Sequence, residues 1–306
     1  MIGIVILNYC SLRDVRECIN SLTNGNTESY TIYIVDNKSP DQSGIELKEY
    51  YKAYPNIKVI LNNHNYGYAA GNNIGLKYAI EDYCDYIVIT NPDIIFMHNS
   101  ISNMIKTFQI SSSIGMVGPK IYNEDESIYQ YGQRKKKTEI KELYFLKYPL
   151  SALNIGKVKQ KMFYTKKELE FDMEVFTVSG CCFAISNSTA RLLYPLDEGT
   201  FMYLEETIIG DILKAKGIKV YYTPKAEIIH NHRVKSKMLS PFNLMNKFMS
   251  EMYYCKKYLG KSNLYLIPLI FYYYSVYIYG TLVNYEYRKM FRDFIRNTKS
   301  RIKEIY

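Results

Sequence analysis

Tryptophan is missing from the 306-residue chain and histidine occurs only four times, so a site that uses imidazole has few places to be. The N-terminus lacks a basic stretch followed by a long apolar run, because Ile2 to Leu7 is short and leads straight into polar residues. No signal peptide is read there, and a cytoplasmic setting is expected. The six cysteines (Cys10, Cys18, Cys84, Cys181, Cys182 and Cys255) show no CxxC spacing. Several lie in apolar segments, the usual setting of reduced cytosolic core thiols. Two familiar phosphate loops are absent as well. Gly67 to Gly75 has no Gly-Lys-Ser/Thr ending, which excludes a P-loop, and no GxGxxG follows the first apolar run, which argues against a dinucleotide-dependent dehydrogenase. Acidic residues are scarce in one region only. From Asn231 to Tyr306, 14 Lys and Arg face 4 Asp and Glu, a net +10, whereas the first 230 residues carry 25 against 26. A basic tail on a neutral body argues against a nucleic-acid enzyme with a basic cleft and for a tail that meets an anionic surface.

The length allows one large domain or two smaller ones and is ample for a real core. Ile2 to Leu7, Thr31 to Val35, Ile57 to Leu61 and Tyr86 to Ile89 are short apolar, β-branched runs that read as buried strands. Between them, helices are expected from Ser11 to about Leu22, with Val15, Cys18, Ile19 and Leu22 on one face, from about Asp41 to Ala53, and from Tyr68 to Tyr83. Strand and helix alternate four times before residue 93, the pattern of a parallel, helix-covered sheet. The fourth strand stops at Asn91-Pro92, since proline supplies no amide hydrogen and restricts the residue before it. Asp93 follows. In an open α/β sheet ligands sit beyond the carboxyl ends of the strands, where a carboxylate can hold a hard cation against a diphosphate. The bland alternative is a solvated aspartate after an Asn-Pro turn. Gly67 to Gly75 reads as a glycine-studded helix start whose free amides can meet an anion or a sugar, with close helix–sheet packing the reading for Gly75.

Taken in order, Asn8-Tyr9, Val35-Asp36-Asn37-Lys38-Ser39, Asn65-Tyr66-Gly67-Tyr68-Ala69-Ala70-Gly71-Asn72-Asn73, Asn91-Pro92-Asp93, Val178-Ser179-Gly180-Cys181-Cys182, Leu204-Glu205-Glu206 and Ala226-Glu227-Ile228-Ile229-His230 form a set. The set resembles family 2 glycosyltransferases, and within them the rhamnosyltransferase-like branch, over roughly residues 2–235. The resemblance implies a GT-A fold, a Rossmann-like mixed sheet covered by helices, and an inverting, metal-dependent transferase that uses a nucleotide-diphospho-sugar. Residue by residue, Asp36 matches the position that reads the nucleotide base, and Asn8, Asn65, Gly67, Gly71, Asn72 and Asn91 match donor-binding positions. Asp93 and His230 match metal ligands for Mn2+ or Mg2+, although Asn91 replaces the first aspartate of the D-x-D motif. Glu206 matches the catalytic base, with Glu205, Gly180 and His232 in support.

Residue chemistry is compatible with these roles. Glu205-Glu206 opens a helix whose apolar face is Ile208, Ile209, Ile212 and Leu213, so the helix dipole is expected to favour the charged carboxylates. Inverting transfer needs a base for the acceptor hydroxyl while a metal neutralises the leaving diphosphate. Imidazole is a common ligand of transition metals, which suits His230. His64 and His98 read as surface or packing residues. Within the poorly readable stretch Glu124 to Met173, the run Arg134-Lys135-Lys136-Lys137 reads as a solvated loop, the alternative being a flexible acceptor-side loop that meets a diphosphate-lipid.

The tail from Leu239 differs from the body. Leu264 to Val283 carries no formal charge and is rich in tyrosine, with Pro268 and Gly280 interrupting it. Its length suits a bilayer, but tyrosine prefers the interface. Phe291, Phe294, Ile295, Ile302 and Ile305 share a helical face beside Arg292, Arg296, Lys299, Arg301 and Lys303, as in a basic helix lying on an anionic membrane. A helical subdomain packing on the sheet or on a second copy of the chain is the alternative. The expectation is a GT-A domain over residues 1–238 and a helical tail over 239–306, peripheral at the inner face of the cell membrane and in bacterial surface-polysaccharide synthesis. Its partners would be a donor such as dTDP-rhamnose or a UDP-sugar, a glycan or polyprenyl-diphosphate-linked acceptor, and possible second copies in a homodimer, with no nucleic acid. Removal of residues 240–306 should then leave a soluble domain. A nucleotidyltransferase on the same sheet and a catalytically silent scaffold are the competing functions.

Overall fold

The computed structural model describes residues 1–25, 29–145, 147, 160–231 and 238–305. Its first half alternates as the sequence suggests: β1 (Ile2–Asn8), α1 (Leu12–Gly25), β2 (Tyr30–Asp36), α2 (Ser43–Tyr50), β3 (Ile57–Leu61), α3 (Gly67–Glu81) and β4 (Tyr86–Thr90). β1 pairs in parallel with β2 and β4, and β2 with β3. Strands buried on both faces need apolar residues at nearly every position, which is why these runs do not alternate with polar ones. On α1, Val15, Cys18, Ile19 and Leu22 are all buried against one face of the sheet, and Leu76 and Ala79 of α3 cover the other. The register sets Asn8 beside Asp36 and Ile6 beside Thr90, so the functional residues leave the sheet at one edge.

The second half is mixed. It runs through β5 (Ile94–Phe96), α4 (Ser100–Thr107), β6 (Ile114–Asn123), α5 (Ile140–Phe145), β7 (Met173–Val175), β8 (Cys182–Ser186), α6 (Asn187–Leu193), α7 (Glu205–Ala215) and β9 (Lys219–His230). Among the described residues the sheet has the order β3-β2-β1-β4-β8-β6-β9-β5, with β7 also on β9. β8 is antiparallel to both β4 and β6. Val220 to Tyr222 and the segment leading to His230 form one strand, 12 residues long. Its register with β6 jumps between Pro119/Thr223 and Lys120/Glu227. Prolines at 119 and 224 cannot donate to the ladder there, so the strand bulges instead of ending.

Four helices close the chain: α8 (Pro241–Lys257), α9 (Asn263–Val283), α10 (Tyr285–Lys289) and α11 (Phe291–Ile305). Two expectations fail here. Pro268 and Gly280 do not interrupt the apolar run, because α9 continues through both. Pro268 lies past the first turn, so the helix loses the rung its amide would make to Leu264 and continues on its remaining bonds and its packing. A Cβ on Gly280 would lie 2.4 Å from the Tyr287 ring, so this glycine admits α10. Nor is the apolar face of α11 free for a membrane. Phe294 is fully buried, its ring 3.8 Å from that of Tyr277, and Ile295 and Ile302 pack on the same cluster. The surface left uncovered is instead the outer face of α9, where Leu264, Phe271 and Leu282 are 74%, 67% and 73% exposed.

Candidate active site

β1 and β2 end in a buried polar knot. Asn8 Nδ2 donates to Asp36 Oδ1 at 2.7 Å and to Ser43 Oγ at 3.1 Å, while the Ser39 amide and hydroxyl also donate to Asp36. Gly44 lets the start of α2 reach this carboxylate, since a Cβ there would lie 2.3 Å from Asp36 Cγ. Asn8 and Asp36 are therefore together, as the resemblance implies, and each is already held by protein partners.

The next residue, Asn37, organises the loop that leads into α3. Its Nδ2 donates to Asn65 Oδ1 at 3.1 Å and to the Gly67 carbonyl at 2.9 Å, and its Oδ1 accepts from Asn62 at 2.9 Å. Asn65 Oδ1 also accepts the Gly67 amide at 3.0 Å, which turns the chain into α3. Gly67 has φ +81 and a Cβ would strike the Phe201 carbonyl at 2.3 Å, so both conformation and space require glycine. Gly71 and Gly75 face β1: a Cβ would meet Leu7 at 2.6 Å and Val5 at 2.4 Å. Packing thus accounts for Gly75 as expected, and for the inner side of Gly71. Asn72 is fully buried, with Nδ2 donating to the Tyr68 carbonyl at 3.0 Å and Oδ1 lacking a hydrogen-bond partner.

Beyond β4, the Asn91 amide donates to the Cys181 carbonyl at 2.7 Å. β5 then pairs with the end of β9, Ile94 opposite His230, which brings His230 Nε2 to 3.3 Å from Asp93 Oδ2. Two ligands in adjacent positions on an octahedral cation with bonds of about 2.1 Å would be about 3 Å apart, so the pair fits one ion. Among the described residues no third His, Cys, Asp or Glu joins them, so water and substrate phosphates would complete the sphere. His232 lies outside the described residues. His64 and His98 are exposed, as expected, with His64 edge-on to Tyr66.

Gly180 joins these parts. Its carbonyl accepts the Tyr68 hydroxyl, and a Cβ would lie 3.3 Å from Glu206 Oε2. Glu205 and Glu206 open α7 but do not behave as a solvated helix start. Glu205 is buried, accepts a 2.8 Å bond from Thr200 Oγ1, and is raised to about 8 by burial and by the Glu206 charge. Burial raises Glu206 as well, against its own backbone amide and the Arg134 charge. Burial thus works against the charged form at both positions, and at Glu205 it outweighs the helix dipole. A raised carboxyl is a stronger base near neutral pH. Burial likewise pushes Cys181 up to about 12, so this neighbour stays a thiol.

The run Arg134 to Lys137 is not a solvated loop. Lys135 pairs with Glu168 at 2.8 Å, Lys136 with Glu142 at 2.7 Å and Lys137 with Asp211 at 3.1 Å. Arg134 is bridged through its backbone to Phe163 and Thr177. The sequence shows four adjacent cations, with Glu139 and Glu142 close behind them, but not that Glu168 and Asp211 return to meet Lys135 and Lys137.

The family model described as "Glycosyl transferase family 2" matches residues 2–191. Rhamnosyltransferase WbbL of Escherichia coli (strain K12) is 25% identical over 234 residues, 75% of this chain and 83% of its own. The N-acetylglucosaminyl-diphospho-decaprenol L-rhamnosyltransferase of Mycobacterium tuberculosis is 23% identical over 243 residues, 76% of each chain. Among solved structures, GalNAc-T7 with UDP, GalNAc and Mn2+ superposes with a TM-score of 0.60 at 16% identity over 87% of this chain. This chain covers 52% of that one, about half its length, and the likeness shows the fold alone.

Proposed function

The chain belongs to glycosyl transferase family 2 and is similar to rhamnosyltransferases, and on that footing we propose that it is an inverting, divalent-cation-dependent transferase with a nucleotide-diphospho-sugar donor, dTDP-rhamnose or a UDP-sugar. The acceptor in this reading is a glycan or a polyprenyl-diphosphate-linked glycan of a bacterial surface polysaccharide. The observation that carries it is the convergence of Asp93 and His230, 3.3 Å apart at the carboxyl edge of the sheet, with Glu206 beside Gly180. Asp93 and His230 would hold Mn2+ or Mg2+, which neutralises charge on the departing diphosphate. Asp36 and Asn8 end the strands that would receive the base, and the loop fixed by Asn37 and Asn65 presents the start of α3 to the donor. Glu206 takes the proton from the acceptor hydroxyl as that oxygen attacks the sugar carbon from the face opposite the diphosphate. Glu205, neutral at pH 7, stays out of the transfer and supports the loop at Thr200.

The tail in this reading lies on the inner membrane surface through the outer face of α9, with exposed Arg288, Lys289 and Arg292 beside it for anionic headgroups. The test is a screen of activated sugars for cation-dependent release of nucleoside diphosphate by the full chain, with polyprenyl-diphosphate glycans as acceptors. Turnover that persists in excess chelator, or incorporation of a nucleotidyl group in place of a sugar, would overturn the proposal.

A further inference from the structure

Arg134 stands apart from the lysines that follow it. Each of those lysines meets a carboxylate within 3.1 Å, whereas Arg134 Nε and Nη2 are buried and have no hydrogen-bond partner. Its guanidinium lies 5.2 Å from the Phe163 ring centre, and burial pulls its pKa below the usual arginine value. A buried cation with idle donors costs free energy, so its place needs a reason.

The backbone supplies one. The Arg134 amide donates to the Thr177 carbonyl at 3.0 Å, and the Arg134 carbonyl accepts the Phe176 amide at 2.8 Å. Thr177 Oγ1 in turn donates to the Glu206 carbonyl at 2.6 Å. One fully buried threonine therefore ties the segment that carries Arg134 to the helix start that carries Glu206. We propose that Arg134 is a positioning residue of the transfer reaction: its fixed guanidinium is the countercharge that keeps the Glu206 carboxylate formed and facing the acceptor. This rests on the reading of Glu206 as the base.

The other groups that act on or feel Glu206 do not substitute for it. Glu205 on the same helix is neutral at pH 7 and would repel if charged. Tyr68 from α3, Tyr129, and Cys181 before β8 are all raised by burial and remain uncharged. Glu142 and Asp211, which also favour the charged guanidinium, have lysine partners of their own. Of the carboxylates that favour the Arg134 charge, Glu206 is the one without a lysine partner among the described residues.

The test uses the full chain and reads Glu206 directly. Infrared titration of the carboxyl band, assigned by subtracting the Glu206→Gln spectrum, gives the Glu206 midpoint in each variant. Arg134→Met should move that midpoint upward by about one to three pH units, the usual effect of losing an opposite charge at close range. Arg134→Lys should restore most of the shift. Affinity for nucleoside diphosphate with Mn2+ should not change, and the acid limb of the kcat profile should move with the midpoint. A midpoint within a few tenths of wild type in both Arg134→Met and Arg134→Gln overturns the proposal. So does a lost activity that Arg134→Lys does not rescue while its midpoint is normal. A titration result in either sense stands even if no acceptor is turned over, so failure of the transferase reading and failure of this one are distinguishable.

Discussion

Asp93 and His230 reach one point because β5 pairs with the last turn of β9, not because they are near in sequence. Asp93→Ala should abolish transfer and weaken nucleoside-diphosphate binding in Mn2+ by well over tenfold, read by calorimetry with and without chelator. An affinity that ignores both the substitution and the metal would remove Asp93 from the cation site. At the adjacent carboxyls the two roles should separate. Glu206→Gln keeps size and hydrogen bonding but loses basicity, so single-turnover transfer should fall by about 10²–10⁴-fold with donor affinity unchanged. Glu205→Gln should be mild in catalysis and visible in stability. Glu205 binds a proton in the folded state up to about 8 and in the unfolded state only to its ordinary 4.5. Its contribution is fully present below pH 4.5 and is lost as pH rises through 8. The wild type minus Glu205→Gln difference in Tm should therefore grow more unfavourable to wild type between pH 5 and 8, the window set by those two values. A flat difference would mean that Glu205 is ionised.

Helix α9 is apolar on two opposite faces, and the two faces have different fates. Leu266, Leu269, Tyr273 and Tyr277 are buried against α8 and α11, while Leu264, Ile267, Phe271, Ile278 and Leu282 face outward. One face is core. For the other we expect that replacing Leu264, Phe271 and Leu282 by serine abolishes sedimentation with anionic vesicles and leaves Tm within a few degrees. Wild-type binding should weaken in salt, since exposed charges are screened over about 8 Å at physiological ionic strength. If the triple variant instead changes a dimer into a monomer and vesicles are ignored by both chains, the face is an interface between copies.

The proposed parts of the molecule, residues 1–238 and 239–306, are joined by more than the chain. Lys257 Nζ lies 2.8 Å from Asp197, which also accepts from Tyr253 and Tyr258, and Tyr254 donates to Asp211 at 2.8 Å. Ile140 and Leu143 lie in the apolar cluster of the tail helices. This packing reverses the expectation for removal of residues 240–306: the shortened chain should aggregate or melt well below the full one, checked by size-exclusion chromatography and thermal melts. The same contact sets an acid limit. Burial alone would raise Asp197, but the bonds from Lys257, Tyr258 and Tyr253 hold it at about 2. The stability it contributes is present above its ordinary 3.8 and is lost as pH falls toward 2. The protection of α8 amides, relative to their intrinsic exchange at each pH, should fall across that window in wild type, and in Asp197→Asn it should be low already at neutral pH. Equal exchange in both chains would show that the clamp carries no weight.

Local chemistry decided a large share of this protein. Four apolar runs separated by amphipathic helices already specify the parallel half of the sheet, because a strand buried on both faces has few other sequences open to it. The resemblance to the family's motifs singles out Asp36, Asp93, Glu206 and His230 as positions. Tertiary structure decided what each polar group meets. Asn37 looks like one loop amide among many until it is seen joining residues 62 to 67. The cations at 134–137 look solvated until Glu168 and Asp211 arrive from elsewhere in the chain to meet Lys135 and Lys137. Glu205 looks charged until the start of α7 is buried. The apolar stripe of α11 is core and the outer stripe of α9 is surface, although their sequences suggest the opposite as readily. Hydrophobic periodicity records that a face is to be covered; what covers it, and the protonation that follows from losing water, depends on contacts between segments far apart in the chain.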